Sequence, residues 1–205
     1  PDGYAYIGGD YNEYSGPSGG RADDSDLEPP AISLGSLNRM DGDRITFKST
    51  GGDIVLRGHS GRDNVDGSSG IQTQRQLVID SGSGTIVIDG KKTGDELGAG
   101  LRFGGQNKFP DVAITSSSAS SPAIQIKGTS NKGHGILLGL GSSASAPAGT
   151  VLIQSSSATG GGVQIHGSTS AASSAGSIEA IQLVGGNKQT YQFLSNNGDI
   201  DIASI

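Results

Sequence analysis

Val112–Gly128, VAITSSSASSPAIQIKG, and Val151–Gly167, VLIQSSSATGGGVQIHG, are near copies 39 residues apart. Each opens on an apolar-x-apolar segment, passes through a Ser-rich link, and closes on a second apolar-x-apolar segment ending in Gly. Alternation at period two puts the flanking apolar residues on one face of a strand and the middle residue on the other. The Gly and Ser that follow each segment read as turn positions.

The pair recurs along the chain. First segments, each with Ser two residues on, are Ile45–Phe47 with Ser49, Leu77–Ile79 with Ser81, Val112–Ile114 with Ser116, Val151–Ile153 with Ser155 and Tyr191–Phe193 with Ser195. Second segments, with Gly at the same offset, are Ile54–Leu56 with Gly58, Ile86–Ile88 with Gly90, Ile124–Ile126 with Gly128 and Val163–Ile165 with Gly167. The last copy, Ile200–Ile202, ends in Ser204 instead. A third segment follows a small residue: Gly70-Ile71, Gly100–Phe103, Gly135–Leu138 and Ala180–Leu183. First segments are spaced by 32, 35, 39 and 40 residues, second segments by 32, 38, 39 and 37.

Three short strands per repeat close a triangular coil, and coils stack about 4.8 Å apart with equivalent strands parallel. The fold expected is all-β: a right-handed parallel β-helix, the hand following the usual parallel-crossover preference. It is a three-strand β-solenoid of about 32–40 residues per coil, with four full triplets and a partial fifth over residues 41–205. Such a fold answers the composition. Of 205 residues 36 are Gly, Cys and Trp are absent, and only 32% are hydrophobic. A thick spherical core cannot be filled from that supply, whereas a coil needs only about six inward apolar residues and gains stability from its neighbours. Collagen is excluded because Gly has no three-residue period. A disulfide scaffold is excluded by the missing Cys. Apolar runs such as Ile136–Leu138 fall far short of a membrane helix.

Residues 1–40 depart from the triplet. They hold Tyr4, Tyr6, Tyr11 and Tyr14 and an acidic run, Asp23-Asp24-Ser25-Asp26. They read as an irregular Tyr/Asp-rich segment or cap, with strands at Tyr4–Ile7 and Ala31–Leu34. The stretches 116–122, 140–149 and 168–177 read as corner loops. The net charge is −6, from 14 basic and 20 acidic residues, which disfavours nucleic acid as a partner. The chain starts with Pro1 and shows no signal-peptide pattern, so a processed or internal piece is expected.

The triplets, and the motifs Ser49–Gly58 (STGGDIVLRG), Gly128–Gly139 (GTSNKGHGILLG), Gly161–Gly167 (GGVQIHG) and Asn196–Ser204 (NNGDIDIAS), resemble the secreted β-helical exoproteins typified by filamentous haemagglutinin, and autotransporter passengers. The resemblance covers about residues 41–205. It implies a right-handed parallel β-helix, export across an outer membrane, and adhesion or matrix building at the cell surface. It carries over no functional residue, because the repeats of that family define a scaffold. The family's amino-terminal secretion domain is not recognisable here, which together with the short fifth triplet suggests a central or terminal segment.

Candidate chemistry is sparse. His59, His134 and His166 sit at strand ends or turns, without a G-x-S-x-G elbow and without metal-ligand spacing. The residue before each second-segment turn forms a column, Arg57, Asp89, Lys127, His166 and Ala203, that mixes signs where a glycan hydrolase would gather acids. Arg102 and Asp111 fall into no pattern. Asp63-Asn64-Val65-Asp66-Gly67 places oxygen ligands beside a Gly turn; Asp63, Asn64 and Asp66 are weak calcium candidates, as is the acidic run at 23–26, and a solvated turn is the preferred reading of both. No cofactor is otherwise expected, and no enzyme activity. The function expected is an extracellular structural or adhesive protein, a rod- or filament-forming segment at a bacterial surface. Its partners are neighbouring copies or further repeats of its own chain, stacked end to end, and a surface glycan or receptor. The alternatives are a β-helical carbohydrate-active enzyme or tail-spike-like protein, and a calcium-dependent adhesive module.

Overall fold

The computed structural model describes residues 5–10, 32–34, 44–61, 69–73, 76–94, 97–104, 111–139, 149–170, 178–184 and 189–205. Among them are sixteen strands and no helix. In chain order they are β1 (Ala5–Asp10), β2 (Ile32–Leu34), β3 (Arg44–Lys48), β4 (Ile54–Ser60), β5 (Ile71–Thr73), β6 (Gln76–Asp80), β7 (Ile86–Lys92) and β8 (Leu101–Phe103). There follow β9 (Val112–Ser116), β10 (Ile124–Ser130), β11 (Ile136–Gly139), β12 (Gly149–Ser155), β13 (Gly162–Thr169), β14 (Ile181–Val184), β15 (Gln189–Ser195) and β16 (Asp199–Ser204).

Every third strand pairs with the next of its kind, always in parallel. Sheet I is β3-β6-β9-β12-β15, sheet II is β1-β4-β7-β10-β13-β16, and sheet III is β2-β5-β8-β11-β14. The chain is therefore a three-strand parallel β-solenoid, as its triplets require. Register follows the repeat residue for residue: Ile45, Leu77, Val112, Val151 and Tyr191 stack in sheet I. Ile54, Ile86, Ile124, Val163 and Ile200 stack in sheet II. Ile71, Leu101, Ile136 and Ile181 stack in sheet III.

The core is the column these residues enclose. In the coil β7–β9, Ile86, Ile88, Leu101, Phe103, Val112 and Ile114 are each at most 1% exposed. Burying such a side chain contributes about 1.5–3 kcal/mol, and each coil repeats that contribution. Two short pieces of residues 1–40 add to the stack: β1 lies on β4, with Ile7 opposite Leu56, and β2 lies on β5, with Ile32 opposite Ile71. The solenoid register thus reaches back to Ala5. The rest of that segment, with its acidic run, lies outside the described residues.

The two turn columns work differently. Ser closes the corner between sheets I and II as expected. Gly52 N–H donates to Ser49 Oγ at 2.8 Å and Gly198 N–H to Ser195 Oγ at 3.0 Å. In the interior copies the hydroxyls of Ser81 and Ser116 both donate to Gly84 O, at 2.6 and 2.7 Å. The Gly column is a correction to the sequence reading. Gly58, Gly90, Gly128 and Gly167 are inward-facing residues within β4, β7, β10 and β13, not turns. They are needed for closeness. A Cβ there would lie 2.1–2.2 Å from the carbonyl oxygens of Gly70, Gly100, Gly135 and Ala180, where the chain enters sheet III. Positive φ occurs elsewhere, as at Gly82 (57°) in the Ser corner.

Beyond the Gly column the second strands run two residues further. Their inward ends are Ser60, Lys92 and Ser130, at 2%, 0% and 1% exposure. Lys92 therefore enters the interior where its neighbours place serine.

Candidate functional site

The last coil is the first place where the structure changes character. Strands β14, β15 and β16 are each the final member of their sheet, so among the described residues one backbone edge of each has no strand beside it. Their inward side chains are uncovered. Leu183 is 47% exposed where Phe103 and Leu138, its column mates, are 1%. Ile200 and Ile202 are 44% and 47% exposed where Val163 and Ile165 beneath them are 1%. Tyr191 and Phe193 complete this end as partly buried members of the core.

Tyr191 also ties the end down. Its hydroxyl lies 2.7 Å from Val184 O and 3.0 Å from Leu138 O, bridging two strands of sheet III. Burial pushes its phenol up to about 12. On the outer face of sheet II an amide ladder runs to the same end. Gln125 Nε2 donates to Gln164 Oε1 at 2.7 Å, and Gln164 Nε2 to Asp201 Oδ2 at 3.3 Å. His166 Nε2 lies 2.7 Å from the same oxygen. His166 first, then Gln164, holds the Asp201 carboxyl below its ordinary value. At the corner between sheets II and III Ser204 takes the Gly position of the last strand, while Ala180 O still approaches Gly167 as closely as Gly135 O approaches Gly128.

The mixed column of sheet II is in register as read: Arg57 opposes Asp89, Asp89 opposes Lys127, Lys127 opposes His166, and His166 opposes Ala203. His59 Nε2 lies 2.8 Å from Thr93 Oγ1, two positions along the same face from Arg57. His134 stands apart, at the turn entering β11, where its Nδ1 accepts the Glu179 N–H at 3.2 Å. The structure brings no two of the three histidines together as a pair. Among the described residues no group of three His, Cys, Asp or Glu is placed to hold a metal. Asp63, Asn64 and Asp66 lie outside the described residues.

Comparison with family models, curated proteins and solved structures finds no match.

One residue passed over in the sequence stands out. Arg102 is the middle residue of β8, on the outer face of sheet III, in a column with Gln72, Leu137 and Gln182. Its Nε is sealed from solvent and has no hydrogen-bond partner among the described residues. Burial lowers the guanidinium below its ordinary value. The sequence signal, an Arg between apolar neighbours in a three-residue strand, was present but without a pattern to attach to.

Proposed function

We propose that the chain is a rod-forming segment of an extracellular structural or adhesive protein at a bacterial surface. Its open carboxy-terminal coil is covered by a further parallel β-coil. The observation that carries this is the exposure of Leu183, Ile200 and Ile202 in a column whose inner members are at most 2% exposed. An edge of free strand groups beside uncovered aliphatic side chains is the surface on which strand addition occurs. A coil of the same kind fits because it supplies three parallel edges and an apolar centre at once. The role is mechanical: a continuous ladder resists extension and the outer faces present binding surface. The secreted location and bacterial setting rest on the resemblance of the triplets to haemagglutinin-type exoproteins.

Sedimentation velocity of the purified chain tests the stacking. Concentration-dependent end-to-end oligomers that are lost in the Ile200→Asp, Ile202→Asp double variant support it. A wild-type monomer at every concentration, with the β16 amides protected from hydrogen exchange, overturns it.

A further inference from the structure

The corner between β15 and β16 holds the chain's only Asn-Gly pair, Asn197-Gly198. Both residues answer a demand of the stack. Asn197 Nδ2 donates to Ser157 O at 3.3 Å and to Ala158 O at 2.9 Å. Asn196 Nδ2 donates to Ser156 O at 3.2 Å, so two amides clamp this corner to the one beneath. Gly198 packs so closely on the Gly161 carbonyl that a Cβ would run into it. The pair that suits this packing is also chemically labile. Asn is a thermolabile residue, and a following Gly has no Cβ to block its own nitrogen from approaching the Asn side chain.

We propose that Asn197 is a self-modification site, whose deamidation is gated by the opening of this last corner. In the reaction Gly198 N bonds to Asn197 Cγ, the Cγ–Nδ2 bond breaks, and ammonia leaves with the Gly198 amide proton. Water then opens the cyclic imide. Cleavage at Cγ leaves aspartate, and cleavage at the Asn197 backbone carbonyl carbon leaves isoaspartate, with the chain routed through Cβ and Cγ. The folded corner opposes the first step twice. The Gly198 N–H donates to Ser195 Oγ at 3.0 Å, and the departing nitrogen is held by the two carbonyls of the coil beneath. Asn197 is exposed, and among the described residues β16 is the last strand of sheet II. Such an edge opens locally at low cost, and opening releases both restraints. The product does not fit back. An aspartate carboxylate would face Ser157 O and Ala158 O, acceptors both, without a proton to give them. Isoaspartate would lengthen the backbone just before Asp199, which is in register with Gly162. Conversion therefore weakens the seat of β16 permanently. The proposal does not rest on coil stacking, since the clamp and the labile pair both lie within one chain.

The test is peptide mapping by mass spectrometry of the full chain held in mildly alkaline buffer, folded and in guanidinium chloride, with aspartate and isoaspartate resolved. In guanidinium chloride Asn197 should convert faster than every other Asn of the chain. In the folded chain it should convert about tenfold or more slower, in proportion to the population of the open corner. Ser195→Ala should speed the folded reaction about two- to tenfold, the ratio that one net hydrogen bond gives, and leave the unfolded rate unchanged. Asn197→Asp should raise amide hydrogen exchange in β16 and leave that of β10 as it is. If Ser195→Ala lacks the wild-type strand signal in circular dichroism, Asn197→Asp and the two wild-type rates decide. The proposal is overturned by equal rates in the folded and unfolded chain, by another Asn outpacing Asn197 when unfolded, by a folded Ser195→Ala that converts no faster than wild type, or by unchanged β16 exchange in Asn197→Asp.

Discussion

Replacing Gly128 by Ala adds one carbon at the tightest place between sheets II and III. That carbon would stand 2.2 Å from Gly135 O and 2.7 Å from Gly135 C, with Ile136 Cγ1 at 2.5 Å. An ordinary carbon-to-oxygen contact is about 3.3–3.6 Å, so the intrusion exceeds 1 Å. The oxygen belongs to backbone that cannot swing aside: Leu101 N–H donates to it at 3.0 Å. The same geometry repeats in the coils on either side, at Gly90 and Gly167, so a shift in one coil is resisted by two others. Overpacking a core typically costs about 1–3 kcal/mol. A backbone obstacle belongs at the upper end, about 3 kcal/mol. The restricted unfolded chain returns only about 0.4–1 kcal/mol of that in a Gly-to-Ala change. For a chain of this length about 2–4 °C is lost per kcal/mol, so the melting temperature by circular dichroism should fall by about 5–10 °C. Ser204→Ala, in the same column where a side chain is already accommodated, should stay within about 0.5 kcal/mol. An unchanged or raised melting temperature for Gly128→Ala would refute the close-approach explanation of the Gly column.

Ile126→Ala, in a middle coil at 1% exposure, should cost about 2–5 kcal/mol in urea unfolding, while Ile202→Ala at the open end should cost under about 1 kcal/mol. Ser116→Ala removes a donor to Gly84 O and an acceptor for Ser118 N–H, at 2.7 and 3.0 Å, and should cost about 1–3 kcal/mol. Alkali should unfold the chain partly through Tyr191. Its folded value, about 12, lies above the ordinary 10.0, so the unfolded phenol ionises first and stability falls as pH rises between the two; Tyr191→Phe should flatten that part of the profile. Acid should act through His134, whose lowered value means that the unfolded imidazole takes up its proton first. Stability should therefore fall as pH drops below the ordinary 6.5, and His134→Asn should reduce that slope.

The parts of the fold set by short apolar alternation were legible. Ile124 and Val163, or Leu101 and Ile136, could be aligned from the sequence and stack as aligned, because a one-residue slip would turn every buried side chain outward. The Ser column was legible where its bonds are local, as from Gly52 N–H to Ser49 Oγ, and not where Ser116 reaches Gly84 O in the neighbouring coil. The Gly column was visible as a column but not for its cause. A Gly that permits a turn and a Gly that permits close approach look alike until the carbonyl of Gly135 is seen beside Gly128. The strands expected at Tyr4–Ile7 and Ala31–Leu34 overlap β1 (Ala5–Asp10) and β2 (Ile32–Leu34), but the sheets they join were not legible, since a long insertion breaks the spacing. The sealed Nε of Arg102 was not legible. Nor was Lys92 at the end of β7, whose 0% exposure no local pattern announces.

Electron cryomicroscopy of the assembled chain tests the central claim most directly. The account predicts rods in which layers about 4.8 Å apart run along the long axis and continue across each junction, with a coil seated on β14, β15 and β16. Dispersed single particles at every concentration would contradict it.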